Sequence, residues 1–262
     1  MSDCIALLVS YDGSDFHGFA RQPGIPTIQG TIESALHTIF GTAVGTTGAG
    51  RTDAGVHALG QVVSFDTPVS SAPDLMRLTR SLNALCGPGI VIRGARRCAK
   101  GFSARFDAHT REYRYAICTG PVPPLFSSGY AWWVKKELDL GVMQEAALAL
   151  LGEHDFSAFC VRDSAIGINT HRALEVVEIT EECFREEREV TIRVVGDAFL
   201  HSMVRILVGS LVETGLGRRD VDWLHKVLAS RDRAAAGPTA PPHGLTLWRV
   251  EYPSSCWLED SL

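Results

Sequence analysis

Metal-ligand spacing is missing from this sequence. The seven cysteines (Cys4, Cys86, Cys98, Cys118, Cys160, Cys183, Cys256) include no C-x-x-C pair, and the nine histidines show no ligand pattern, so no zinc framework exists and no metal is expected. An odd, dispersed set reads as reduced, mostly packed thiols. Also missing are a run of about 20 apolar residues and a basic start followed by a shorter one. Neither membrane spanning nor secretion has a signal, and the expected location is the cytoplasm. Excess positive charge is absent too, with 25 basic residues against 30 acidic ones and a formal charge of −5. Any nucleic-acid site must then be a local patch, because nonspecific phosphate binding comes from clustered Lys and Arg. What is present is ordinary for a folded protein, 45% hydrophobic and 21% charged over 262 residues. That is enough for one large domain or two halves sharing a cleft.

Charge is scarcest where the sequence is most distinctive. Between Phe40 and Phe65 the only formally charged residues are Arg51 and Asp53, bracketed by Gly48, Gly50, Gly55 and Gly60. A solvated loop would carry scattered Lys, Glu and Asp, whereas a single acid and a single base among small residues read as a placed carboxylate with backbone room around it. If Gly50 to Thr52 is extended, Arg51 and Asp53 point to one side and can pair. The bland alternative is a surface turn leading into a strand from Gln61 to Thr67.

Period and punctuation give the elements. Cys4 to Tyr11 is a near-continuous apolar run closed by Asp12-Gly13-Ser14, which predicts a buried central strand. Thr27 caps a helix from Ile28 to Phe40, with Ile28, Ile32, Ala35, Leu36 and Ile39 on one face and Gly41 as its stop. Ser71, Pro73 and Asp74 start a helix that ends near Gly87-Pro88, and Gly89 to Cys98 is a strand. The short connections permit antiparallel neighbours as well as βαβ units. Further strands are expected over Arg111 to Cys118, Tyr130 to Val134, Ala173 to Thr180, Glu189 to Val195 and Leu245 to Tyr252. Helices are expected from Asp139 to Leu151, Leu200 to Thr214, and Asp220 or Asp222 to Ser230. Glu153 to Thr170 has no clear period, and Glu181 to Glu187 reads as an acidic hairpin tip.

Two more patterns carry chemistry. From Arg93 to Arg114 seven basic residues (Arg93, Arg96, Arg97, Lys100, Arg105, Arg111, Arg114) stand against Asp107 and Glu112. Phe102, Phe106 and Tyr113 interleave with them, a composition suited to phosphate contact and base stacking or, blandly, to a basic connector. Strand alternation puts Arg111, Tyr113, Tyr115 and Ile117 on one face, where a single aromatic is more often packing than catalysis. Arg205 is the only formal charge between Ala198 and Val212. His201, Arg205 and Gly209 form a narrow helix face with room beside the arginine, which should meet a phosphate or Asp53 unless it snorkels to solvent. V-S-Y-D-G-S-D-F-H-G and V-V-G-D-A-F-L-H-S share an order of residues, a hint of two related halves.

Together, R-T-D-A-G-V-H-A (Arg51 to Ala58) with G-Q-V-V-S-F-D, Tyr11-Asp12-Gly13 with F-H-G-F, S-A-R-F-D-A then R-E-Y-R-Y, G-E-H-D-F-S-A-F, F-L-H-S-M-V-R-I-L-V-G, and D-R-A-A-A-G-P-T-A-P-P-H-G-L resemble the successive motifs of the tRNA pseudouridine synthase A family. Coverage is essentially the full chain, and Ala20 departs from the family's usual glutamine after G-F. The resemblance implies an α+β fold of two related α/β halves, 1–105 and 106–262, with mostly antiparallel sheets flanked by helices around a central catalytic cleft. It implies an isomerase acting on uridines 38, 39 and 40 of the tRNA anticodon arm, a homodimer, and no metal or organic cofactor. Asp53 matches the family's nucleophile, expected at the bottom of the cleft. Arg51 or Arg205 would hold it ionised, with Arg205 the favoured partner. Tyr113 would stack on the extruded uracil and serve its C5 proton, and Leu245 would close the pocket's other face. Arg111, Arg114 and the Arg93 to Lys100 cluster would contact phosphates. His57, without a nearby orienting acid in sequence, reads as structural rather than as a general base. A noncatalytic RNA-binding protein would make Asp53 and Arg205 coincidences, and an Asp53–His57 hydrolase lacks a metal set or an orienting group.

Overall fold

The apolar run Cys4–Tyr11 forms strand β1, flanked on both edges by antiparallel neighbours, which satisfy the backbone groups of a largely buried strand. The computed structural model describes residues 3–68 and 73–258, and the chain divides into two compact units, 1–110 with 247–262 and 111–246.

In the first unit, α1 (Ile28–Phe40) is bounded by the expected caps. Thr27 Oγ1 accepts from the Gly30 N–H at 3.2 Å, and Gly41 ends the helix with φ 72. Ile28, Ile32, Ala35 and Leu36 are its buried apolar residues. The two-residue strand β2 (Thr47–Gly48) pairs with β3 (His57–Asp66), which starts four residues before the expected Gln61 because Ala58 still pairs with Tyr11. Helix α2 (Leu75–Cys86) takes Asp74 itself as its cap, the carboxylate accepting from Met76 and Arg77 N–H; Ser71 lies outside the described residues. Strand β4 (Ile90–Cys98) then pairs antiparallel with β1.

In the second unit, β5 (Thr110–Thr119) carries the short parallel strand β6 (Trp132–Val134) on its edge. Helix α3 (Leu140–Ala147) is capped by Asp139, which accepts from Val142 N–H at 3.0 Å, and a 3-10 turn extends it to Leu150. Strands β7 (Gly152–Asp155), β8 (His171–Phe184) and β9 (Glu187–Gly196) complete the order β5-β9-β8-β7. Strand β7 falls where no regular element was expected, because pairing with Ala173 and its neighbours uses backbone groups and needs no apolar period. The acidic tip is also narrower than expected. Glu181 and Glu182 sit in β8, and only Arg185 and Glu186 turn, with φ 50 and 68, the positive values a two-residue hairpin demands. Arg188 offsets the acidity, 2.7 Å from Glu181 and 2.9 Å from Glu137.

Helix α4 (Met203–Gly215) begins three residues later than the apolar pattern suggests, since Ser202 adopts φ 57 and interrupts it. Ile206, Leu207, Val208 and Leu211 are fully buried, and Gly209 and Ser210 are buried as well, so the helix is enclosed on most sides and has no single core stripe. After α5 (Trp223–Ser230), β10 (Leu245–Glu251) carries the chain back into the first unit, beside β3. A Cβ on Gly60 would lie 2.3 Å from the Trp248 carbonyl oxygen, so the close approach needs glycine. Phe102, Tyr252 and Trp257 then close one core with ring centroids 5.2 to 5.5 Å apart. The class is the expected α+β one, antiparallel sheets with helices.

Candidate active site

Asp53 stands in the first unit on a loop whose backbone is tied down on every side. Its carbonyl accepts from Val56 N–H at 3.2 Å, closing a turn in which Gly55 has φ 76. One residue earlier, the Thr52 carbonyl accepts from Phe19 N–H at 3.0 Å, and Thr52 Oγ1 lies 2.8 Å from the Tyr11 hydroxyl. Gln61, fully buried in β3, meets both backbone groups of Gly50, accepting from its N–H at 3.3 Å and donating to its carbonyl at 2.9 Å. Two glycines of the N-terminal motif let this happen. A Cβ on Gly13 would sit 2.1 Å from the Val56 carbonyl oxygen, and one on Gly18 would sit 2.9 Å from that of Thr52. The result is a half-buried carboxylate on a braced turn, with Arg51 exposed beside it. Among the described residues Arg51 makes no ion pair.

His57 is buried at the start of β3. Its Nδ1 accepts from Gly13 N–H at 3.1 Å, and Asp12 Oδ1 lies 3.2 Å from the same nitrogen. An acid therefore does stand near it, delivered by the turn after β1. The ring thus brackets the turn after β1 from one nitrogen.

The second unit holds the other candidates. Tyr113 is buried on β5 with its ring edge-on to Phe199, centroids 5.0 Å apart. Arg111, on the same face, is buried as well and donates to the Asp197 carbonyl at 2.5 Å. Arg205 donates through Nε to the Ala240 carbonyl at 2.8 Å, while its own carbonyl accepts from Ala240 N–H at 3.0 Å. The room expected beside Arg205 is filled by chain: a Cβ on Gly209 would lie 1.8 Å from the Pro238 carbonyl oxygen. From there the proline-rich segment is held by Gly237 N–H donating to Ser210 Oγ at 2.9 Å and Tyr115 hydroxyl donating to Pro241 at 2.8 Å. Burial pushes the Tyr115 phenol far up, against the pull of the Arg205 charge, so this donor stays protonated. The segment delivers Leu245, buried at the head of β10.

Arg114 lies on the opposite face of β5 from Tyr113, as alternation demands. It bonds Glu112 at 2.8 Å, and Glu112 also meets Arg193 of β9 at 3.1 Å. Burial pushes the Glu112 carboxyl up, but hydrogen bonds from Arg193 and Arg114 outweigh it and hold the group below the usual carboxylate range. A depressed folded value means the stabilisation is complete above the unfolded value, about 4.3, and is lost as pH falls through the folded one. Glu112→Gln leaves Arg114 and Arg193, direct cross-strand partners, facing each other. It is expected to cost about 1.5 kcal/mol at pH 7 and progressively less below pH about 4, read by urea melts across that range.

The family model described as tRNA pseudouridine synthase matches residues 7–106 and 146–253. The chain belongs to that family. A tRNA pseudouridine synthase A from Brevibacillus brevis is 44% identical over 94% of this chain and 98% of its own length. Relatives of the same name from Halalkalibacterium halodurans and Ralstonia nicotianae are each 43% identical, covering 92% and 96% of this chain and 89% and 90% of their own lengths. The match to the family spans Tyr11, the Asp53 loop, Arg205 and Leu245. Sequence reasoning passed over Gln61 and Thr52 as supports. The available signal was a glutamine inside an otherwise apolar strand, since a buried amide must be hydrogen-bonded. Among the described residues no three His, Cys, Asp or Glu side chains are grouped to hold a metal, and no helix is long and apolar enough to cross a membrane.

Proposed function

We propose that this chain isomerises uridine to pseudouridine at positions 38, 39 and 40 in the anticodon arm of tRNA, with Asp53 as the covalent nucleophile. The observation that carries the reading is a half-buried carboxylate on a backbone-braced turn, inside a sequence that matches this enzyme family over most of its length. The reaction breaks the bond from uracil N1 to ribose C1′, turns the base and joins C1′ to C5. A proton leaves C5, one is gained at N1, and no electron is transferred. A carboxylate suits this chemistry because it adds to the nucleoside and then departs.

Tyr113 stacks on the extruded uracil and its hydroxyl serves the C5 proton, while Leu245 covers the other face. Extrusion costs a few kcal/mol, which these two surfaces partly offset. Arg51 and Arg205 are the two cations assigned to orienting the Asp53 carboxylate during the reaction. Phosphates fall to the Arg93 to Lys100 cluster and Arg114, with Arg111 a lesser contributor given its bond to Asp197. The chain works as a homodimer in the cytoplasm.

The test is to incubate purified protein with unmodified tRNA and map pseudouridine. Product at 38 to 40 is expected, product elsewhere overturns the position, and none overturns the activity. For Tyr113→Phe, the stacking surface stays and single-turnover rates are expected to fall about 10- to 100-fold at unchanged tRNA affinity; wild-type rates would remove the hydroxyl from the chemistry.

A further inference from the structure

We propose that Gln61, Tyr11 and Thr52 form a buried hydrogen-bond relay whose task is to aim the Asp53 carboxylate, an inference that rests on Asp53 being the nucleophile. The relay runs from Gln61 through Tyr11 to Thr52. Gln61 Nε2 donates to the Gly50 carbonyl at 2.9 Å and, with its second proton, to the Tyr11 hydroxyl at 3.4 Å. That hydroxyl in turn shares a hydrogen bond with Thr52 Oγ1 at 2.8 Å, in which either oxygen can donate. Burial pushes the Tyr11 phenol up to about 12, so it stays protonated throughout the neutral range.

All three residues are buried, Gln61 completely. A core that needed only packing would be served by Phe, Val and Leu of similar volume, because polar groups in such a place contribute little net stability even when fully bonded. What the polar set gains is geometry. Gly50 is gripped at both backbone groups, as a neighbouring strand would grip it. Thr52 is gripped at its hydroxyl from β1 and at its carbonyl by Phe19. The residue preceding Asp53 is thus fixed from two elements, and the turn to Val56 fixes the residue itself. An attacking group displaced by about 1 Å loses on the order of 100-fold in rate, which gives such a brace its value.

The test compares Tyr11→Phe, Thr52→Val, their combination, Thr52→Ser and Asp53→Asn by single-turnover rate on bound tRNA, tRNA Kd and melting temperature. Tyr11→Phe and Thr52→Val are each expected to slow the step about 10- to 100-fold while Kd stays within about threefold and melting shifts only a few degrees. The double variant should be no slower than the slower single, since the Tyr11–Thr52 bond is lost in each, and Thr52→Ser, which keeps the hydroxyl, should recover most of the rate. Wild-type rates for Tyr11→Phe and Thr52→Val, additive losses, or no recovery by serine would overturn the relay. Asp53→Asn separates the two claims: product from it overturns the nucleophile, while an inert Asp53→Asn beside unimpaired Tyr11→Phe and Thr52→Val overturns the relay alone.

Discussion

Asp53→Asn is expected to bind tRNA with near wild-type affinity and to form pseudouridine at least about 1,000-fold more slowly, a barrier increase of roughly 4 kcal/mol. The carboxamide matches the carboxylate in size and shape, so it removes charge and nucleophilicity while keeping the volume. It neither attacks carbon at a useful rate nor leaves as a stable anion. The loop should survive the change, because the bonds described for it run through the backbone of Gly50, Thr52 and Asp53 and the side chains of Tyr11, Thr52 and Gln61. The measurement is single-turnover product formation at saturating enzyme, with binding read separately by filter retention. Substantial product would sink the nucleophile assignment, and lost binding would show that the charge serves recognition instead.

Gly209→Ala is expected to be the most damaging small substitution in the second unit. Its Cβ would stand 1.8 Å from the Pro238 carbonyl oxygen and 2.9 Å from the carbonyl carbon, and backbone does not move aside as a flexible side chain does. Helix α4 is buried on most sides, which leaves it little freedom to retreat. Overpacking of this kind costs about 3 kcal/mol, a fall in Tm of roughly 6 to 12 °C. Displacing the Pro238 segment would also strain the Ala240 contacts of Arg205 and the Pro241 contact of Tyr115. Calorimetry should show the fall, and assays well below the new Tm should still show impaired turnover. A Tm within 2 °C of wild type would refute the argument.

Local signals were the most legible in the sequence. Thr27 and Asp139 mark helix starts by side-chain capping and Gly41 marks a helix end by its left-handed backbone, all acting within a few residues, and all three do so. The apolar run of β1 and the shared face of Arg111, Tyr113, Tyr115 and Ile117 were equally direct, since all four are buried. Features set by distant partners were not. Strand β7 exists through pairing with β8, α4 starts late because of one backbone angle at Ser202, and Gly209 was read as open space when it is a docking place for a segment 29 residues on. In the site, Asp53 was conspicuous because charge is rare around it. Its supports were not, because Tyr11 and Thr52 look ordinary until folding brings them within 2.8 Å. Likewise the acid beside His57 comes from Asp12, which proximity in sequence could not supply.

The first unit is assembled from two separated stretches, 1–110 and 247–262, and this sets an order of events during synthesis. When residue 110 has left the ribosome, β3 has β1 on one side and only the two-residue β2 on the side that β10 will take. Phe102 likewise awaits Tyr252 and Trp257. Residues 111–246 must all be made before either arrives, which at about 5 to 20 residues per second takes roughly 7 to 30 seconds. The uninterrupted second unit therefore has everything it needs to fold first. For that interval the loop bearing Asp53 belongs to a nascent sheet with one edge largely unpaired, the kind of intermediate that chaperones shelter.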